Sequence, residues 1–135
     1  MMKVEPLCDA VGARVTGLNL AQPLDIETHA ALHKAWMDYQ VLVIPDQDFT
    51  QEEQINFART WGEFPKRERY EKRAEKDTAD KSIMLVSNIR ENGKPIGTLP
   101  DGEMMFHHDT IYKPRPHIGT LLYAIEVPSV GGNTK

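Results

Sequence analysis

The residues with the clearest chemical potential lie in one short segment, residues 104–109, with the sequence Met-Met-Phe-His-His-Asp. If the segment is extended, successive side chains point to opposite faces, so His107 and Asp109 share one face and His108 lies on the other. An imidazole and a carboxylate arranged in this way can occupy adjacent positions on a metal ion. The tripeptide is common, however, and by itself it more often indicates a core histidine that is hydrogen-bonded to a carboxylate.

Two kinds of metal site are compatible with this segment. One is the 2-His-1-carboxylate triad of non-haem iron(II) oxygenases, of which His107 and Asp109 would supply two ligands. The other is a zinc or manganese site that also uses His108, although both imidazoles would then have to face the same way, which an ordinary strand does not allow. His29 and His33, one helical turn apart, have a spacing compatible with metal binding but no third ligand nearby, which favours an ordinary surface pair.

A second segment, residues 128–134, has the sequence Pro-Ser-Val-Gly-Gly-Asn-Thr and ends 27 positions after His107. Together the two segments resemble the taurine dioxygenase and 2,4-dichlorophenoxyacetate dioxygenase (TauD/TfdA) family of iron(II)- and 2-oxoglutarate-dependent enzymes. Asn133 stands where the family usually has Asp. Residues 11–20, 39–47 and 61–64 are similar to upstream segments of the same family.

The resemblance implies a role for each matching residue. His107 and Asp109 would ligate iron(II), Thr134 would bind a carboxylate of 2-oxoglutarate, and O2 would take an open metal position. Tyr70 and Arg67 match substrate contacts, but Arg67 replaces a histidine of the taurine enzyme, which argues against taurine as the substrate. Arg67 could bind a carboxylate or sulfonate through two hydrogen bonds, or it could simply be a solvated arginine of a charged stretch.

The implied activity is hydroxylation of an aliphatic carbon in a small, anionic organic substrate, with release of succinate and CO2. The implied fold is α+β or mainly β: a partial double-stranded β-helix (jelly-roll, cupin-like) with two flanking N-terminal helices. Residues 1–135 match the N-terminal portion of a single domain, since the family's second metal His and its 2-oxoglutarate-binding Arg lie beyond the segment that ends at Thr134. The alternative is a catalytically inactive half-domain that acts by dimerisation or through a partner chain.

Two helices are predicted in the first half of the chain. Asp25 can cap a helix over residues 27–39, whose apolar stripe is formed by Ala31, Ala35 and Tyr39 with Leu32 and Trp36 beside them. Residues 50–53, Thr-Gln-Glu-Glu, form a capping box that begins a second helix. That helix is expected to bury apolar residues before Gly62 ends it, namely Ile55, Phe57, Ala58 and Trp61.

Strands are expected to dominate the second half. Residues 11–18 alternate between apolar and polar side chains, and the apolar run 41–44 indicates a buried strand. Residues 83–86 and 120–127 are predicted strands as well. Asn92-Gly93 predicts a hairpin turn between Ile89 and Ile96.

Composition excludes several classes of protein. The 135 residues carry 20 acidic and 16 basic side chains, a formal charge of −4, which argues against nucleic acid as a partner. No apolar run is long enough to span a membrane or to serve as a secretory signal, so a cytoplasmic protein is expected. The family resemblance implies a small-molecule substrate, and a homo-oligomer is an option. Cys8 is the single cysteine, so no intrachain disulfide can form.

Residues 66–81 depart from this average, with seven Lys/Arg and five Asp/Glu in 16 positions. Like-charge pairs at helical spacing disfavour a helix there. The stretch is therefore predicted to be a charged, lid-like loop, with an ordinary solvated surface loop as the alternative.

Overall fold

The computed structural model describes residues 1–64, 83–97 and 105–131. The chain divides into two compact units, Met1–Leu99 and Pro100–Lys135, and each is described by itself. The described residues contain two helices and two small sheets, an α+β arrangement. The predicted loop 66–81 lies outside the described residues.

A three-stranded sheet forms the first layer of the N-terminal unit. Its strands are β1 (Lys3–Pro6), β2 (Ala13–Thr16) and β3 (Leu42–Val43), in the spatial order β1-β2-β3. β1 pairs with β2 antiparallel, and β2 pairs with β3 parallel. In β2, Ala13 and Val15 are fully buried while Arg14 is exposed, which confirms the predicted alternation within this strand. The prediction is wrong at the start of the segment, where Val11 is exposed and Gly12 is buried.

The two edge strands were predicted less well. β1 was not predicted at all, since its four residues include two charged side chains and a proline at the end. The interpretation of residues 41–44 as a buried strand is wrong in part, because Val41 and Val43 are about half exposed while Leu42 and Ile44 pack against the core. Successive side chains of a strand point to opposite faces of the sheet, and in β3 only the face with Leu42 packs against the core.

Helix α1 (Ile26–Tyr39) begins where the sequence predicts. The Asp25 carboxylate accepts hydrogen bonds from the backbone N–H (2.7 Å) and the hydroxyl (2.8 Å) of Thr28, as an N-cap residue does. The helix buries Leu32 and Ala35, whereas Ala31 is exposed. The predicted apolar face is therefore confirmed at Leu32 and Ala35 and wrong at Ala31, because the helix turns the larger Leu32 side chain towards the core.

Helix α2 (Gln51–Arg59) begins with the predicted capping box. The Thr50 hydroxyl oxygen accepts from the Glu53 backbone N–H at 3.2 Å, and the Glu53 carboxylate accepts from the Thr50 N–H at 2.7 Å. Ile55 and Phe57 are buried, and the other two predicted core residues, Ala58 and Trp61, are half-buried. The helix ends at Arg59, three residues before Gly62.

The core lies between the sheet and these helices. Its buried members are Val15, Leu20, Leu32 and Phe57. A second set of apolar residues, partly buried, packs around them: Met2, Val4, Leu18, Leu24, Leu42, Ile44, Phe49 and Trp61. All of these residues lie within the first 64 positions, and neither helix described here is long and apolar enough to cross a membrane.

The predicted hairpin is confirmed. Strands β4 (Arg90–Glu91) and β5 (Lys94–Pro95) pair antiparallel, and Asn92 (φ 50°) and Gly93 (φ 76°) make the turn. Two successive positive φ values are typical of a type I′ turn, which suits the twist of paired strands.

The predicted strands at 83–86 and 120–127 are wrong for the structure as described. Neither stretch carries strand hydrogen bonding, although the alternation of exposure persists from Ile83 to Ser87. A strand requires a neighbouring strand to pair with, and the described part of the chain provides no ladder for either segment. The expectation that strands dominate the second half is wrong for the same reason.

Candidate functional site

The candidate site lies in residues 105–131, hereafter the site segment. A tight turn follows the adjacent histidines His107 and His108. The Ile111 N–H donates to the His108 carbonyl (3.3 Å), and the Lys113 N–H donates to the Thr110 carbonyl (2.9 Å). Thr110 has a φ of 56°. The Thr110 hydroxyl oxygen then accepts from the His117 N–H at 2.9 Å, which reverses the chain and returns residues 117–120 towards residues 107–109.

His107 and Asp109 contact each other as predicted. The Nε2 atom of His107 lies 3.3 Å from Oδ1 of Asp109, and both side chains are about half exposed. The Nδ1 atom of the same ring lies 2.8 Å from the Met105 carbonyl oxygen. Because a carbonyl oxygen can only accept, Nδ1 carries the hydrogen and donates to it.

This arrangement determines what the pair can do. With the hydrogen on Nδ1, the Nε2 atom of a neutral ring presents its lone pair to Asp109 Oδ1, which also has only lone pairs when the carboxylate is ionised. Two acceptors 3.3 Å apart attract each other only if a proton or a metal cation is bound there. An imidazole held through its other nitrogen by a carbonyl is also how histidine metal ligands are usually oriented.

An open cleft of about 280 Å³ surrounds this pair. It is lined by His107, His108, Asp109, His117, Ile118, Gly119 and Thr120. The Nε2 atom of His117 is buried and has no hydrogen-bond partner among the residues that the structure describes. The Thr120 hydroxyl donates to Asp109 Oδ2 at 2.9 Å, so both oxygens of this carboxylate have a defined neighbour.

The segment is not the extended strand on which the prediction rested. It bends at Phe106, and a turn begins at Asp109. His108 lines the same cleft as His107, and its Nδ1 lies 2.9 Å from the Asp109 carbonyl oxygen. Within residues 1–64, 83–97 and 105–131, no three His, Cys, Asp or Glu side chains are grouped so that they could hold a metal, so the alternative zinc or manganese site with His107, His108 and Asp109 finds no support.

The other histidine pair has a structural role. His29 and His33 lie against the Trp61 ring, with centroids 5.5 and 5.7 Å away, and His29 Nε2 lies 3.1 Å from the Thr60 hydroxyl. Trp36 meets Trp61 edge to face at 5.3 Å. The pair therefore belongs to an aromatic cluster that joins one side of α1 to the residues that follow α2.

The comparison with protein families shows to which family the chain belongs. The model described as "Taurine catabolism dioxygenase TauD, TfdA family" matches residues 3–135. This chain belongs to that family. The TauD/TfdA resemblance predicted from the His-x-Asp and Gly-Gly-Asn-Thr segments is thereby confirmed. Enzymes of the TauD/TfdA family use iron(II), 2-oxoglutarate and O2.

Several curated relatives are similar over almost the whole chain. The (S)-phenoxypropionate/alpha-ketoglutarate-dioxygenases of Sphingobium herbicidovorans and Delftia acidovorans are 35% and 30% identical, over 97% and 98% of this chain. The pentalenolactone F synthase of Streptomyces arenae is 34% identical over 97% of it. The matched regions make up 43%, 45% and 44% of these relatives, so the chain spans less than half of their length.

Solved structures of the same class match smaller parts. AAD-2, in complex with Mn(II) and N-oxalylglycine, is 32% identical with a TM-score of 0.47, covering 48% of this chain and 24% of AAD-2. A taurine dioxygenase from Burkholderia xenovorans is 29% identical with a TM-score of 0.45, covering 46% of this chain and 23% of that one.

The predicted site residues divide into two groups. The structure brings His107 and Asp109 together, whereas Arg67, Tyr70 and Thr134 lie outside the described residues. The sequence interpretation missed the contacts that orient the pair, namely the Met105 carbonyl and the Thr120 hydroxyl. The position of a backbone carbonyl cannot be predicted from the residue type. Thr120 was predicted only as the first residue of a strand over residues 120–127.

Proposed function

We propose that this chain is part of an iron(II)- and 2-oxoglutarate-dependent dioxygenase that hydroxylates an aliphatic carbon of a small anionic organic substrate, with release of succinate and CO2. The observation that carries the proposal is the 3.3 Å approach of His107 Nε2 to Asp109 Oδ1 in a chain of the TauD/TfdA family. Iron(II), when bound, would supply the activation of dioxygen that no amino-acid side chain provides.

The imidazole of His107 and the carboxylate of Asp109 are donor groups that fit iron(II). His107 offers one nitrogen lone pair through Nε2, because the Met105 carbonyl takes the Nδ1 hydrogen. Asp109 offers a carboxylate oxygen beside it, and one imidazole with one carboxylate are two of the three ligands of the 2-His-1-carboxylate triad. In this proposal, Thr134 would donate a hydrogen bond to a carboxylate of 2-oxoglutarate, in keeping with its match to the family motif.

The anionic substrate class rests on two supports. Two of the relatives are named for (S)-phenoxypropionate, an organic acid. Arg67 and Tyr70 match substrate-contacting positions of the family, and a guanidinium binds carboxylates and sulfonates through paired hydrogen bonds. In the proposal, residues 66–81 form a charged, lid-like loop that contributes both side chains.

We also propose that residues 1–135 are the N-terminal portion of a single dioxygenase domain with a double-stranded β-helix fold. This is supported by the 43–45% of each relative's length that the chain matches. It is also supported by the two-ligand set, which lacks a second metal-binding histidine in the part of the chain described here. The check is the coding sequence: a continuation past Lys135 that contains a His and then an Arg supports the proposal, and a stop codon contradicts it.

The test of the activity is spectroscopic. In the complete protein of which this chain is proposed to be a part, with iron(II) and 2-oxoglutarate under anaerobic conditions, we expect a visible charge-transfer band that disappears in His107→Ala and in Asp109→Ala. For residues 1–135 alone we expect little or no turnover. His33→Ala is the matched control, because that imidazole stacks on Trp61, and it should leave the band unchanged. A band that persists in both site variants would remove these residues as ligands. Succinate release with sulfonates, aryloxyacetates, carboxylates and sulfate esters would then identify the substrate class.

A second candidate is a non-catalytic half-domain that acts by dimerisation or with a partner chain. It is favoured by the exposed apolar side chains of the site segment, among them Phe106, Leu122, Ile125 and Val130. Exposed apolar surface of this kind commonly marks an interaction site. A dimer in light scattering, without the charge-transfer band, would support this candidate over the dioxygenase.

A further inference from the structure

The Asp109 carboxylate has a neighbour that neither the motif nor the family match assigns. The Thr120 hydroxyl donates a hydrogen bond to Oδ2 of Asp109 at 2.9 Å, across eleven residues of sequence. The direction of this bond is fixed, because an ionised carboxylate can only accept. Oδ1, the other oxygen, is the atom that lies 3.3 Å from His107 Nε2.

This hydrogen bond distinguishes the two carboxylate oxygens. The terminal torsion of an aspartate is broad, so a half-exposed carboxylate is free to rotate and exchange its oxygens unless something holds one of them. Asp109 is about half exposed and is not fixed by burial. The Thr120 hydroxyl holds Oδ2 and thereby leaves Oδ1 directed at the histidine nitrogen.

Local structure brings Thr120 to this position. The Thr110 hydroxyl oxygen accepts from the His117 N–H at 2.9 Å and closes the loop between them. Thr120 follows three residues later and lines the same cleft as His107 and Asp109. A β-branched side chain has few χ1 rotamers, so the Thr120 hydroxyl is held in direction as well as in place.

We infer that Thr120 is a positioning residue that orients the Asp109 carboxylate for metal binding. This inference rests on the proposed function, since it assumes that His107 and Asp109 hold a metal ion. Partners that orient a metal ligand without touching the metal typically contribute 10- to 100-fold in affinity. Thr120 would contribute by keeping Oδ1 ready beside Nε2 before the metal arrives.

The probe is Mn(II), whose binding is followed by electron paramagnetic resonance and needs no turnover. We expect Asp109→Ala to weaken Mn(II) binding most, and Thr120→Val, which keeps the shape and removes the hydroxyl, to raise the Kd by about 10- to 100-fold. Thr120→Ser keeps the hydroxyl and should remain within about threefold of the unaltered protein. Tyr112→Phe is the control, because it removes a hydroxyl from the same segment at a side chain that is 70% exposed and does not line the cleft.

The outcomes distinguish a failure of the positioning role of Thr120 from a failure of the proposed metal site. If Asp109→Ala binds Mn(II) as the unaltered protein does, or if neither binds it, the proposed metal site fails and the role of Thr120 fails with it. If Asp109→Ala loses binding but Thr120→Val retains it, only the assignment of Thr120 is overturned. Equal weakening in Thr120→Ser or in Tyr112→Phe also overturns it, because the affinity would then not depend on the hydroxyl at Asp109.

Discussion

Residues 1–64, hereafter the core region, and the site segment use different interactions to hold their shape. The core region buries Val15 and Leu32 completely, with helices capped at Asp25 and Thr50. The site segment leaves its large apolar side chains exposed and orders its chemical groups through hydrogen bonds among turns, hydroxyls and imidazoles. Packing therefore stabilises one region, whereas polar contacts define the geometry of the other.

This difference predicts that a Leu→Ala substitution lowers the free energy of unfolding much more in the core region than in the site segment. Leu32→Ala removes a fully buried side chain and should lower the free energy of unfolding by about 2–5 kcal/mol, since it leaves a cavity. Leu122→Ala, at a side chain that is 77% exposed, should change it by less than about 0.5 kcal/mol. Hydrogen–deuterium exchange as a function of urea concentration measures both, because it reports on the core region and on the site segment separately.

Two outcomes would contradict this prediction. A loss in Leu122→Ala as large as that in Leu32→Ala would mean that the site segment is packed as tightly as the core region. A negligible loss in Leu32→Ala would mean that the sheet and helices do not depend on this side chain. Either result would remove the distinction between a packed region and a hydrogen-bonded one.

A smaller effect is expected where the core region itself depends on hydrogen bonds. Thr50→Ala removes the acceptor of the Glu53 N–H and should destabilise the protein by about 1 kcal/mol. Thr50→Ser restores the oxygen and should recover most of the loss. Circular dichroism during thermal unfolding measures both variants. If Ser is as destabilising as Ala, the hydroxyl is not the stabilising group at this helix end.

The accuracy of sequence-based prediction differs between the two regions for the same physical reason. The caps at Asp25 and Thr50 and the Asn92-Gly93 turn were predicted because each depends on residues within four positions of each other. The paired strand β1 and the half-exposed edge strand β3 were missed or mistaken because they depend on pairing between distant segments. No local pattern indicates which strand will lie at an edge.

The sequence predicted that the two candidate ligands lie close together, but it did not predict the contacts that support them. His107 and Asp109 stand two residues apart within a motif, so their proximity follows from the sequence. The hydroxyl of Thr120 reaches Asp109 only because a turn after His108 reverses the chain. That reversal depends on backbone conformation, including a positive φ at Thr110. The sequence does not indicate this φ, because the residue is not a glycine.

The smallest predicted effect is a pH dependence at the capped helix ends. Hydrogen bonds from the backbone N–H of Thr50 and, to a smaller extent, from its hydroxyl hold the pKa of Glu53 below its ordinary value. The backbone N–H and the hydroxyl of Thr28 lower the pKa of Asp25 in the same way. Both carboxyl groups therefore have a lower pKa in the folded protein than in the unfolded chain, where it is about 4. Their contribution to stability is complete when the pH is above the pKa of the unfolded chain, and it is lost as the pH falls through the pKa of the folded protein.

Glu53→Gln isolates the contribution of one carboxylate to this acid sensitivity. Gln can still accept from the Thr50 N–H, because both Glu and Gln form capping boxes, but it does not titrate in acid. We therefore expect Glu53→Gln to be nearly as stable as the unaltered protein at neutral pH and to lose less stability between neutral pH and about pH 3. Urea midpoints followed by tryptophan fluorescence, which reports on the core region, measure the difference. An equal acid loss in both proteins would mean that ionisation of Glu53 does not stabilise the start of α2, and that the capping box contributes through its geometry alone.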